Sequence, residues 1–296
     1  MRRRTVTIAL AVGLTVAAGI LVTAASAASH YTTVPHGVRP PVTWERTSDQ
    51  TLGCSQGPAT PPSSQTYDLD RYTADWGVYC EGSPTWIKEN VTMPSLDGES
   101  LRCSITGGAP YSNVHCYRNL LPEPATAQFT LTLSFYFTPT TTFNNQGGPS
   151  VIQALEFTMN KWQQEKRYEW AVQWENVGAD APQWRYWDPH QAGQWVSLGI
   201  TDSEVSELAG EQWHSLLLEG EILSSQIRYE GFCIDQICYP LDITTPPVDA
   251  PGVPDGLAAA VQLDGNYAET PYDLFIDRVH FVREPATRVY LPLIVK

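Results

Sequence analysis

Positive charge is scarce in this 296-residue chain: 18 lysines and arginines stand against 32 aspartates and glutamates, for a net charge of −14. That balance excludes a nucleic-acid partner, because phosphate neutralisation needs a basic surface. No Cys-x-x-Cys pair and no His-Glu-x-x-His occurs, and the six histidines are scattered, which removes the common zinc sites. Beyond Val22 there is no run of about 20 apolar residues, so no later segment offers a membrane span. Helical periodicity is almost missing as well. Only Asp202–Leu208 reads as a helix, with Asp202 or Ser203 as its cap.

What is present begins with a leader. Met1 and Arg2–Arg4, the apolar run Ile8–Val22 and the small residues Ala25-Ser-Ala27 are the three parts of a secretory signal peptide, with cleavage expected after Ala27. Losing those three arginines and no acid takes the charge from −14 to −17. The mature protein is therefore expected outside the cell. Its six cysteines, an even count in an exported chain, read as three disulfides with fifteen permitted pairings. The local set is expected: Cys54 with Cys80, Cys103 with Cys116, and Cys233 with Cys238.

The domain plan is a signal peptide at 1–27, a proline-rich segment at 28–44, one large domain at 45–284 and a tail at 285–296. The apolar tail Val289–Lys296 reads as a last edge strand, which Pro292 suits. Retention at the cell surface through the tail is the alternative. Within the domain, short runs alternate apolar and polar residues between Gly, Pro, Asn and Asp. Ser100–Ile105, Val114–Leu120, Gln128–Phe137, Tyr168–Glu175 and Gly256–Leu263 are examples. Ten or more such strands with almost no helix predict an all-β, two-sheet antiparallel jelly-roll sandwich.

Two hairpins can be registered from sequence. A two-residue turn at Asp235-Gln236 places Cys233 opposite Cys238. A turn at Gln164-Glu165 places Glu156 opposite Gln173 and Asn160 opposite Glu169. Leu155, Phe157 and Met159 then share the apolar face with Tyr168, Trp170, Val172 and Trp174, so Trp170 and Trp174 are expected in the core. Glu156, Thr158 and Asn160 share the opposite, polar face with Glu169, Gln173 and Glu175.

Six of the ten tryptophans fall between Leu155 and Trp195, among these acids and amides. Flat rings beside planar polar groups suit a saccharide, whose C–H faces stack on aromatics while its hydroxyls seek hydrogen bonds. With Trp170 and Trp174 assigned to the core, the groove rings are expected from Trp162, Trp184, Trp187 and Trp195. His190, in Asp188-Pro-His190, is the candidate histidine of the site. His214, on a strand whose alternate residues are apolar, is expected to be structural.

The order of segments Val151–Met159, Trp213–Tyr239 and Ala258–Val282 resembles the concanavalin A-like lectin and glucanase superfamily. Trp213-His214 opening a strand, Gln262-Leu-Asp-Gly-Asn266 and the closing Asp273-Leu-Phe-Ile-Asp-Arg-Val279 carry the likeness, which covers roughly residues 85–284 and is similar to secreted bacterial members. The resemblance implies a concanavalin A-like sandwich. Glucanases of that superfamily of the laminarinase and lichenase type carry Glu-x-Asp-x-Glu or Glu-x-Asp-x-x-Glu on one strand as nucleophile, helper and acid. Here Glu156 matches the nucleophile, Thr158 replaces the aspartate, and Asn160 or Lys161 stands in place of the acid. An amide cannot protonate a leaving oxygen.

Binding of a neutral polysaccharide or oligosaccharide on the polar, concave sheet face is therefore the first expectation. Hydrolysis through Glu156 with Glu175, diagonal to it at roughly 7–8 Å, is the alternative. A structural or adhesive surface protein is a third. A lyase would need a basic site for uronates, which this acidic chain disfavours. No cofactor is required. A structural calcium near Asp277 is implied by the resemblance, with Asp264, Asn266 and Asp273 as further oxygen donors. Asn90-Val-Thr92 is a glycosylation sequon.

Overall fold

The computed structural model describes residues 67–285, apart from 71–72, 108, 121–125, 139–151, 178–180, 191–193, 224 and 267–269. The expected leader and proline-rich segment, Cys54 and the tail beyond Pro285 lie outside the described residues. In chain order the strands are β1 (Tyr67–Asp68), β2 (Trp76–Glu81), β3 (Thr85–Val91), β4 (Ser100–Thr106), β5 (Asn113–Leu120), β6 (Thr126–Thr138), β7 (Ala154–Gln163) and β8 (Lys166–Glu175). They continue as β9 (Gln183–Asp188), β10 (Gln194–Ser197), β11 (His214–Leu223), β12 (Gln226–Ile234), β13 (Ile237–Thr245), β14 (Val248–Asp249), β15 (Gly256–Asp264) and β16 (Tyr272–Pro285). Helix α1 (Ser203–Ser206) is capped by Asp202, whose side chain accepts from the Glu204 N–H.

The strands form two antiparallel sheets. One runs β13-β12-β11-β6-β16-β4-β3 with β1 paired to β16, and the other β10-β9-β8-β7-β15-β5-β2 with β14 paired to β8. Alternation decides which face each residue takes. Leu155, Phe157 and Met159 of β7 meet Leu216 and Leu218 of β11 and Phe135 of β6 in one core between the sheets. Each such side chain contributes about 1.5–3 kcal/mol on full burial. The expected all-β sandwich is the observed fold.

Both hairpins form in the expected register. Glu156 pairs with Gln173 and Asn160 with Glu169, and Cys233 pairs with Cys238. The turn residues Gln164, Glu165, Asp235 and Gln236 all have positive φ, from 49° to 72°. Such two-residue turns match the twist of the flanking strands, and this outweighs the cost of a left-handed backbone at non-glycine residues. Disulfides join Cys233 to Cys238 within the hairpin and Cys103 to Cys116, which ties β4 of one sheet to β5 of the other. Cys80 has no disulfide partner among the described residues. No helix among the described residues is long and apolar enough to cross a membrane.

Candidate functional site

The outer face of the sheet that runs from β10 to β2 collects most of the candidate residues. Its register sets one continuous row across seven strands: Ser197, Arg185, Gln173, Glu156, Gln262, His115 and Tyr79, in that order. The row is wired by hydrogen bonds. Arg185 donates from Nη2 to the Gln173 carbonyl oxygen. Gln173 Nε2 donates to Glu156 Oε1 at 2.9 Å, and Gln262 Nε2 donates to the same oxygen at 2.6 Å. Gln262 Nε2 also lies 2.6 Å from Asp264 Oδ1. Glu156 and Asp264 are therefore bridged by one amide nitrogen, and the two oxygens it serves are at most twice that distance apart.

The expected polar face is real, but it is not an open, hydrated surface. Glu156 is 3% exposed, and Gln173, Gln262, Asp264 and Glu169 are buried with it. Their mutual hydrogen bonds offset part of the cost of burial, although Gln262 Oε1 and Asn160 Oδ1 are buried with no hydrogen-bond partner among the described residues. The register leaves Glu175 diagonal to Glu156, as expected. The Glu175 carboxylate is held by Arg185 at 2.9 Å and by Gln183 Nε2 at 2.8 Å. Glu169 lies further along the face, 3.0 Å from Arg167, with half-buried Asn160 as its cross-strand neighbour. Asp264, expected as a calcium donor, instead approaches Glu156 through the Gln262 amide.

One step along the strands, a second row runs beside the first. Trp195 pairs with Trp187, and Ala171, Thr158, Ala260, Tyr117 and Gly77 succeed one another across β8, β7, β15, β5 and β2. Small residues thus lie between aromatic groups. The Tyr229 hydroxyl rises from the core to join β8 to β9 there, accepting from Ala171 N–H at 3.1 Å and donating to Trp187 O at 3.1 Å. Burial pushes the Tyr229 phenol far above its usual range, so it stays a donor.

The tryptophans divide differently from expectation. Trp170 and Trp174 are in the core as expected, and Trp184 joins them at 0% exposure rather than lining a groove. Its ring packs 4.8 Å from Phe232, and its N–H finds Val205 O at 2.9 Å. A backbone acceptor at the core boundary is what lets an indole be buried whole, and α1 supplies it; Ser206 O does the same for Trp174. Trp162 and Trp187 lie on the outer face but are mostly buried. Half-buried Trp195 is the most accessible of the four expected rings. It meets Trp187 edge-on at 5.3 Å, and the Arg185 guanidinium lies 5.9 Å from its centroid.

His190 is exposed and away from this row. Its backbone N–H caps on Asp188 Oδ1 at 3.0 Å, and its ring Nε2 is 3.5 Å from Pro247 O. The histidine on the face is His115, which sequence reasoning passed over. The outward alternation Asn113, His115, Tyr117 along β5 was the available signal, but only long-range pairing shows that it continues the Glu156 row. His214 is structural as expected, buried between Asp235 Oδ2 at 2.7 Å and Ala209 O at 2.8 Å.

The oxygen cluster around Asp277 is separate. Side-chain oxygens of Asp70, Asp97 and Asp277 lie within 4.8 Å of one another. Asp277 Oδ2 accepts from Ser95 Oγ at 3.0 Å and from Leu96 N–H at 2.6 Å, whereas its Oδ1 is buried with no hydrogen-bond partner among the described residues. A hard-oxygen donor set with a buried carboxylate oxygen fits calcium better than a softer metal. Of the other expected donors, Asp273 is taken by Arg102 and Ser104, and Asn266 by Thr270.

No known family profile matches the sequence, and no curated protein matches it. Among solved structures the chain is similar to a family 11 carbohydrate-binding module from Clostridium thermocellum in complex with a β-1,3-1,4-mixed-linked tetrasaccharide. The identity is 10%, covering 75% of this chain and 97% of that one, at a TM-score of 0.40. It is also similar to the alginate lyase Aly36B, at 12% identity, 76% and 98% coverage and a TM-score of 0.43. A third is the lectin UEA-II complexed with galactose, at 10% identity, 75% and 98% coverage and a TM-score of 0.42. Likenesses this loose carry no argument about the ligand of this chain, whose own side chains must supply it.

Proposed function

We propose that this is an exported carbohydrate-binding protein whose lectin-like site is the outer face of the β10-to-β2 sheet and whose ligand is a neutral polysaccharide or oligosaccharide. The observation that carries this reading is the pairing of half-buried Trp195 with half-buried Arg185, whose guanidinium lies 5.9 Å from the indole centroid and is anchored from below by the buried row Gln173, Glu156 and Gln262. The Arg185 guanidinium offers planar donors to sugar hydroxyls, and the Trp195 indole offers stacking surface. The acids Glu156, Asp264, Glu169 and Glu175 on this face disfavour a uronate chain. Export is supported by the leader pattern and by disulfides, which persist in oxidising compartments. Titration with a broad panel of soluble glycans is expected to change tryptophan fluorescence, with Trp195→Ala weakening the response. A panel without any response refutes the reading.

A second reading is hydrolysis. It is favoured by the approach of Asp264 to Glu156 through Gln262, which brings two carboxylates near the about 5–5.5 Å spacing of retaining glycosidases. Reducing ends released from a β-glucan, and lost in Glu156→Gln, would support it. In either case we assign Asp70, Asp97 and Asp277 to a structural calcium, which would tie the segments around Asp70 and Asp97 to β16.

A further inference from the structure

The β2 side of the same face carries a cluster that the row of amides and tryptophans leaves unused. Tyr117 of β5 stands directly opposite Gly77 of β2, and a Cβ at position 77 would fall 2.2 Å from Tyr117 Cζ and 2.4 Å from its hydroxyl. Only glycine leaves that room. The Tyr117 ring is thereby laid down across β2 instead of standing off the sheet. Glycine inside a strand weakens it and often marks a close approach, and here the group that approaches is an aromatic ring on the outer face.

Beside it, Tyr79 and His115 face each other with ring centroids 5.7 Å apart. The Tyr79 hydroxyl donates to Glu81 Oε1 at 2.7 Å, and Asn113 Nδ2 reaches Glu81 Oε2 at 3.4 Å. Tyr79, His115 and Tyr117 are all half-buried, whereas the centre of the face is buried. His115 is the cross-strand neighbour of Gln262, so the cluster continues the row of Glu156 without a break.

We infer that Tyr117, laid over Gly77, forms with Tyr79 and His115 a second sugar subsite at the β2 side of the face, so that the ligand is an extended saccharide chain lying across the strands. This rests on the carbohydrate-binding reading above and adds the direction and the length of the ligand. Four inter-strand spacings separate β9, which bears Trp187, from β5. At about 4.8 Å each they amount to about 19 Å, the span of several linked hexoses. Ring faces at the two ends suit internal units of a chain, not a lone terminal sugar.

The test uses the full mature chain and a panel of mixed-linkage β-glucan, xylan, glucomannan and hydroxyethylcellulose in affinity electrophoresis. Calorimetry then follows with the hexasaccharide and the disaccharide of the polysaccharide that retards the protein most. Wild type is expected to bind the hexasaccharide more tightly. Tyr117→Ala should weaken the hexasaccharide about tenfold and leave the disaccharide unchanged, the scale of one lost aromatic contact. Gly77→Val, which lifts the ring, should act in the same direction; Tyr117→Phe should bind nearly as wild type. If Tyr117→Ala and Tyr79→Ala bind the hexasaccharide as wild type does while Trp195→Ala does not, the subsite is refuted and the carbohydrate reading stands. If wild type is retarded by none of the four, the carbohydrate reading fails and the subsite falls with it.

Discussion

Replacing Gln262 with leucine is the sharpest probe of the buried row, because volume is nearly kept while one shared donor disappears. Gln262 Nε2 serves Glu156 Oε1 and Asp264 Oδ1, both at 2.6 Å. A hydrogen bond to a charged group contributes about 1.5–3 kcal/mol, so losing two costs about 3–6 kcal/mol. At about 2–4 °C per kcal/mol for a domain of this size, the expected fall in Tm is about 6–24 °C at neutral pH. Calorimetric scans of wild type and Gln262→Leu at about pH 7 should show this gap. A gap that is absent refutes the bridged-carboxylate account.

Three other outcomes are expected. Trp184→Ala empties a fully buried site and should cost about 3–5 kcal/mol in denaturant unfolding, whereas Trp195→Ala should leave stability almost unchanged; equal costs would contradict the division of the rings. Calcium at about a hundred times its Kd should add about 2.7 kcal/mol, a rise of about 5–11 °C in Tm that EDTA reverses and Asp277→Asn abolishes; no metal dependence would refute the site. Burial acts to raise the Asp235 carboxyl, but its hydrogen bonds to His214 and the Ser215 N–H outweigh this and hold it below its ordinary value. Its contribution is thus present above about pH 4 and lost as pH falls through the lowered value, so the stability gap between wild type and Asp235→Asn should close in acid; a gap that widens in acid would refute it.

Local rules made the fold legible. Period-two alternation locates β4, β5, β6, β8 and β15, and two-residue turns set both hairpin registers. β2 and β3 escaped notice because their residues are mostly half-exposed or exposed, so their alternation is weak. The site was legible only as far as one hairpin reaches. Glu156 and Gln173 sit 17 residues apart and could be paired by a turn, whereas Gln262 is 106 residues from Glu156 and meets it only when β15 pairs with β7. Burial was misjudged for the same reason. A strand viewed alone shows a polar face, but whether water reaches that face depends on side chains from β15, β5 and β9 that sequence spacing does not order.

The choice between binding and hydrolysis turns on what the two bridged carboxylates are offered. A retaining glycosidase needs one of its pair to hold a proton for the leaving oxygen. Here Glu156 Oε1 receives two amide donors and Asp264 Oδ1 receives one, partners suited to acceptors. A protonated acid would have to turn its hydroxyl away from those amides. Binding is therefore the better use of the row, and Asp264→Asn separates the two outcomes. If the row only binds, the variant should keep glycan affinity within about tenfold, since an asparagine carbonyl can accept from Gln262 as the carboxylate does. If Asp264 is the acid, the same change should remove reducing-end release from β-glucan while binding persists. Release that continues in Asp264→Asn at the native rate would exclude Asp264 from the reaction and leave Glu156 without its partner.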